Sequence, residues 1–124
     1  MASQFARKNK LLYIIDYLSE YSDIDHKVTM TDIIDMLDKN GIKAERKSIY
    51  TDIKALKDFG FDIVGKQQNR MYYYYLASRV FSNDELKILV NALRDLPDID
   101  NDKKDSMIKR LAGFASVHQK EDII

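Results

Sequence analysis

Apolar residues return every third or fourth place through most of the chain, and every second place in one short region. Within residues 4–21, Leu11, Ile14, Ile15 and Leu18 stand at helical spacing between polar positions, which predicts an amphipathic first helix. The polar, acidic segment SDIDHK at 22–27 reads as a loop. Thr29 follows it, with a hydroxyl able to cap a helix and Asp32 three residues on to complete a capping box. Met30, Ile33, Ile34 and Leu37 form the stripe of that second helix, and Asn40-Gly41 stops it. After a few residues Ile49, Ile53 and Leu56 stripe a third helix, about 45–59, that begins at Ala44 or Glu45 without a good capping side chain and is closed by Gly60.

Beyond Gly60 the period falls to two. Phe61, Ile63 and Gly65 alternate with Asp62, Val64 and Lys66, KQQNR reads as a turn, and MYYYYLA is a second β-rich run, so a hairpin is expected. Ser82 and Glu85 announce another capping box, with Leu86, Leu89, Val90 and Leu93 striping a fourth helix that Pro97 ends. DIDNDKKDS is a linker or helix start, and Ile108, Leu111, Ala112 and Ala115 stripe a fifth helix. The expected architecture is mainly α with a small β-hairpin. A short turn between helices two and three makes a helix-turn-helix, and a hairpin directly after the third helix makes it winged. That places a three-helix core plus wing in residues 1–78 and a two-helix extension in 79–124. The extension's stripes need cover: the first helix, a twin chain, or a sensor domain beyond this sequence.

The third helix is apolar on one side only, and its other side carries a distinctive set. Arg46, Lys47, Ser48, Tyr50, Thr51 and Lys54 face away from the stripe. Arginine and lysine can donate to guanine acceptors, serine and threonine can serve either base, and a threonine methyl can meet that of thymine, in a major groove about 12 Å wide. Tyr50 suits either a groove contact or a cover for the core edge. Lys54 and Lys57, further along, suit phosphates. On the wing, about 65–71, Lys66, Gln68, Asn69 and Arg70 can reach the backbone or minor groove, and the start of the second helix offers Thr29 and Thr31 as an anion site.

Total charge changes nothing, since 20 basic and 20 acidic residues cancel, but its distribution does. Residues 43–57 carry a net +3 and 16–38 a net −6, while Arg7, Lys8 and Lys10 precede the first helix's stripe with no acid nearby. Asp52 lies within the basic face and is expected to pair with a neighbouring base. With 0 cysteines there is neither disulfide nor thiolate chemistry, and the chain suits a reducing, cytoplasmic setting. Asp16 interrupts the apolar run Leu11 to Ile15 too early for a signal peptide, and no stretch approaches the roughly 20 apolar residues of a membrane span. His26 and His118 are isolated, the carboxylates lie on solvated faces, and no glycine-rich phosphate loop occurs, so no enzyme, metal or cofactor is expected. Met30, Met36, Met71 and Met107 read as core filler. Tyr72 to Tyr75 resemble a stacking platform for single strands, while strand alternation turns Tyr72, Tyr74 and Leu76 inward and leaves Tyr73 and Tyr75 outside.

KAERKSIYTDIKALKDFGFDIV followed by YYLASRVFSNDELKILVNAL resembles the N-terminal part of bacterial WYL-domain transcriptional regulators, which carry a DeoR-like winged helix-turn-helix; the likeness spans residues 8 to about 116. It implies sequence-specific double-stranded DNA binding through the third helix, usually as a homodimer. The ligand-sensing WYL domain of that family is absent, so the chain is either a fragment or a stand-alone binder, and no effector ligand is expected to bind it. Two alternatives stand beside this: a protein-interaction module on a winged scaffold, using the tyrosine-rich hairpin and terminal helices, or a binder of single-stranded nucleic acid.

Overall fold

The structure, a computed structural model, describes the backbone of residues 4–124 and the side chains from Lys8 onward; the Arg7 side chain lies outside the described residues. The elements run α1 (Gln4–Tyr21), β1 (Val28–Thr29), α2 (Met30–Lys39), α3 (Arg46–Phe59), β2 (Ile63–Gln68), β3 (Met71–Leu76), α4 (Asn83–Arg94), α5 (Asn101–Ala112) and α6 (Lys120–Ile123). They divide between two compact units, one ending at Ser78 and one starting at Arg79.

The first unit is winged-helix-like, with three helices against a small antiparallel sheet. The capping box at α2 is formed: the Asp32 amide donates to the Thr29 hydroxyl at 3.0 Å and the Thr29 amide to the Asp32 carboxylate at 2.9 Å. Ile14, Leu18, Ile33, Leu37, Ile42 and Ile49 are wholly enclosed, so all three helices meet in one core. The sheet order is β1-β3-β2, one strand more than a hairpin. β1 pairs Val28 with Tyr74 and Thr29 with Tyr73, a match too short to carry a periodic signal and visible only once the chain has folded back. In the hairpin Gly65 lies opposite Tyr74, and a Cβ there would stand 2.8 Å from the Tyr72 ring and 3.0 Å from that of Tyr74. Glycine thus lets the two rings lie across β2. Tyr74 and Leu76 are buried and Tyr72 half-buried as alternation requires, whereas Met71, expected as core filler, is 43% exposed at the strand's start.

Two long-range ties fix α1 within this unit. The enclosed Ser22 hydroxyl, just past α1, donates to the Leu18 carbonyl and accepts the Leu76 amide at 3.0 Å, closing the end of β3 against the end of α1. Lys10 Nζ stands 2.6 Å from Asp52 Oδ2 and donates to Ser48 Oγ at 3.0 Å, joining α1 to α3; its side chain is 14% exposed and that of Asp52 20%. His26 is not isolated: its Nδ1 lies 2.9 Å from the Asp23 carboxylate, inside the turn that leads to β1.

The second unit closes on itself. Leu86, Val90 and Leu93 of α4 meet Ile108 and Ala112 of α5, with Ala115 and Ile123 completing the cluster. The stripes expected to need the first helix, a twin chain or another domain cover each other instead, and a short additional helix, α6, supplies Ile123. Leu89, assigned to the stripe by spacing, is exposed. Ser82 and Glu85 form the expected capping box, and the Ser82 amide bond holds the Glu85 carboxyl below its ordinary range.

Replacing Ser22→Ala leaves the Leu76 amide enclosed and unpaired, and chemical denaturation should register a loss of about 1–3 kcal/mol; a stability equal to wild type would show that the tie is idle. Lys10→Met leaves the mostly enclosed Asp52 without its cation. Lys10→Met/Asp52→Asn should therefore be about 1 kcal/mol more stable than Lys10→Met alone, and strict additivity in the double-mutant cycle would refute the coupling.

Candidate nucleic-acid interface

α3 turns Ile49, Ile53 and Leu56 into the core, and its remaining faces follow from that choice. Arg46, Lys47, Thr51 and Lys54 are exposed, and Tyr50 is 44% exposed. The Thr51 hydroxyl donates back to the Lys47 carbonyl at 3.2 Å. Lys54 meets Asp58 at 3.5 Å, an exposed pair that water competes with. Ser48 is the exception: it is half-buried, donates to the Glu45 carbonyl at 2.9 Å and receives Lys10, so it looks toward α1. The same lysine answers the question of Asp52. Its carboxylate is turned inward and neutralised, and the outward face keeps its positive sign.

α3 begins at Arg46 after an extended Glu45 that supplies no side-chain cap, so the positive end of its dipole is open. Immediately beside it is a cleft of about 100 Å³ where three elements converge: Thr29 and Thr31 from the start of α2, Arg46 and Tyr50 from α3, and Gln67 and Arg70 from the wing. Tyr72 forms part of its wall and meets Tyr50 edge-on, with ring centroids 5.9 Å apart. Tyr50 therefore covers the sheet and faces outward at once. Lys66 and Asn69 are exposed on the wing but do not line the cleft, and neither do Lys47, Thr51 and Lys54. Met30, Gln67, Met71 and Tyr72 line it without having been assigned to the site from the sequence; the strand alternation could have flagged Gln67 as a neighbour of the wing's basic residues.

The wing turn is unusual. Gln68 pairs with Met71, which leaves Asn69 and Arg70 as a two-residue loop, with φ of 52° and 66° respectively. Positive φ at both central residues is the type I′ geometry that suits hairpin twist and favours Asn-Gly. Asn69 fits its place. Arginine at the second place bears the left-handed penalty of roughly 1–2 kcal/mol that glycine would avoid.

A larger groove of about 510 Å³ has the opposite character, lined between α1 and α2 by Tyr13, Tyr17 and Tyr21 with Asp16, Asp32 and Asp35. Burial, and then the charges of Asp32 and Asp35 with Tyr21, push the Tyr17 hydroxyl above the ordinary tyrosine value. Three aspartates against the one lysine, Lys39, leave the lining of this groove net acidic.

Among the curated proteins and among the solved structures, nothing matches this chain. A scan against protein families finds the FokI, D3 domain over residues 7–68, which takes in α1 from residue 7, β1, α2, α3 and β2 and ends before β3. That domain is a DNA-binding, winged-helix-like one. The match covers half of the 124 residues, and the chain belongs to the FokI D3-domain family.

Proposed function

We propose that the first unit binds double-stranded DNA, with α3 in the major groove and the β2–β3 turn on the backbone or minor groove of the same duplex. One observation carries the reading: α3 is held by one apolar stripe and shows Lys47, Tyr50, Thr51 and Lys54 to solvent, while the acid in its midst is drawn inward by Lys10. Kinship with the FokI D3 domain, a DNA-binding domain, supports it. Lys47 and Thr51, one turn apart, are the residues we assign to base edges, and Lys54 and Lys66 to phosphates.

A role in transcription, with two copies on a two-fold site, extends this reading along the likeness to WYL-domain regulators. The chemistry of the unit is recognition rather than catalysis. The single-stranded alternative has less to stand on, because the hairpin tyrosines are not free: Tyr74 is buried and Tyr72, Tyr73 and Tyr75 are half-buried.

Binding to a duplex selected from a random pool should weaken steeply with salt, since log K falls by about 0.9 per phosphate neutralised for each unit of log salt. Lys47→Glu/Lys54→Glu should cost at least about tenfold, roughly 1.4 kcal/mol, whereas Tyr73→Ala/Tyr75→Ala should change little. A flat salt dependence, or a charge-reversed protein that binds as well as wild type, contradicts the assignment. Preference for single strands in competition would move it to the tyrosine hairpin, and sedimentation of the complex reads the number of copies per site.

A further inference from the structure

We infer that the cleft shared by α2, α3 and the wing turn seats one backbone phosphate of the bound duplex between Arg46 and Arg70, and that Arg70 keeps its left-handed backbone for that contact. This rests on the duplex-binding reading and adds to it a position and a reason for the strain.

Arg46 and Arg70, both exposed, line one cleft of about 100 Å³, and among the described residues neither is paired with a carboxylate. Two unpaired cations bordering one cleft favour an anion there. A phosphodiester offers two non-bridging oxygens, one for each guanidinium fork. The start of α2 is already capped by Thr29 and Asp32, so the arginines rather than that helix end supply the attraction; the uncapped first turn of α3 and the Thr31 hydroxyl add donors at the rim. The cleft's Arg46 and Arg70 are exposed on the surface, which suits a phosphate that belongs to a continuing chain.

The strain points the same way. A solvent-exposed two-residue turn that demands positive φ at both places gains from glycine at the second. Arginine there works against the hairpin, and a backbone outlier of this kind motivates a functional role for its side chain. From this turn Arg70 reaches the cleft that Arg46 lines from α3.

The test compares wild type, Arg46→Ala, Arg70→Gly, Arg70→Lys and the double variant Arg46→Ala/Arg70→Gly on a selected duplex without terminal phosphates, across a range of salt. Arg70→Gly should raise Tm by about 5 °C while weakening binding about tenfold. Arg70→Lys should show no such rise in Tm and should keep most of the affinity. Because the two arginines share one phosphate, the double variant should lower the salt slope by about 0.9 in total, against about 1.8 for two separate phosphates. A slope change near 1.8, undiminished binding by Arg70→Gly, or an unchanged Tm overturns this inference while wild-type binding stands. Wild-type protein with no salt-dependent affinity for duplex overturns the duplex reading and this one with it.

Discussion

Everything α3 presents to solvent depends on the burial of three side chains behind it. Ile49, Ile53 and Leu56 are 0%, 5% and 6% exposed, and enclosing such a side chain contributes about 1.5–3 kcal/mol. The stripe as a whole is therefore comparable in size to the net stability of a small domain, which is about 5–15 kcal/mol. The surface pair Lys54–Asp58 contributes a few tenths at most, so charge does not set the rotation of the helix about its axis. Packing sets it, and the cationic face is the consequence.

Packing alone would still have left Asp52 in the middle of that face. The ion pair with Lys10 removes it and also fastens α1 to α3, so one interaction clears the outward surface and stiffens the element that carries it. Ser48 is drawn into the same junction. An isolated reading of α3 as a helical wheel cannot reveal this exchange, because the lysine comes from another helix, 42 positions earlier in the chain by the residue numbers.

The features that were legible are those written in adjacent residues. Both capping boxes, the glycine stops, the three apolar stripes of the first unit and the hairpin follow from patterns within a turn or two of chain, and each is present. The features that were not legible are made by distant partners. β1 exists only as a neighbour of β3, Ser22 is identified only by the Leu76 amide that it receives, and α6 matters only because Ile123 fills a gap beside α4 and α5. For the same reason the closure of α4 against α5 escaped a reading in which each stripe was considered separately. The wing was legible as a turn, but its residue choice was not: KQQNR satisfies the need for polar residues while placing arginine where backbone geometry favours glycine. A local rule broken in an otherwise rule-abiding segment is where function is most visible in a sequence.

The beginning of α2 divides the first unit electrostatically. Thr29 and Thr31 open onto the cleft with Arg46 and Arg70, while Asp32, which closes the capping box, lines the groove that also holds Asp16 and Asp35. Attraction and repulsion for a polyanion are thereby set within a few residues of each other. On the duplex reading proposed above, a duplex approaching α3 meets cations on the helix and wing, and one that swings toward the α1–α2 groove meets Asp16, Asp32 and Asp35 against the single Lys39. Repulsion of the wrong pose fixes register as effectively as attraction in the right one. On that reading, the acidic stretch 16–38 would orient the protein on its partner rather than weaken its hold.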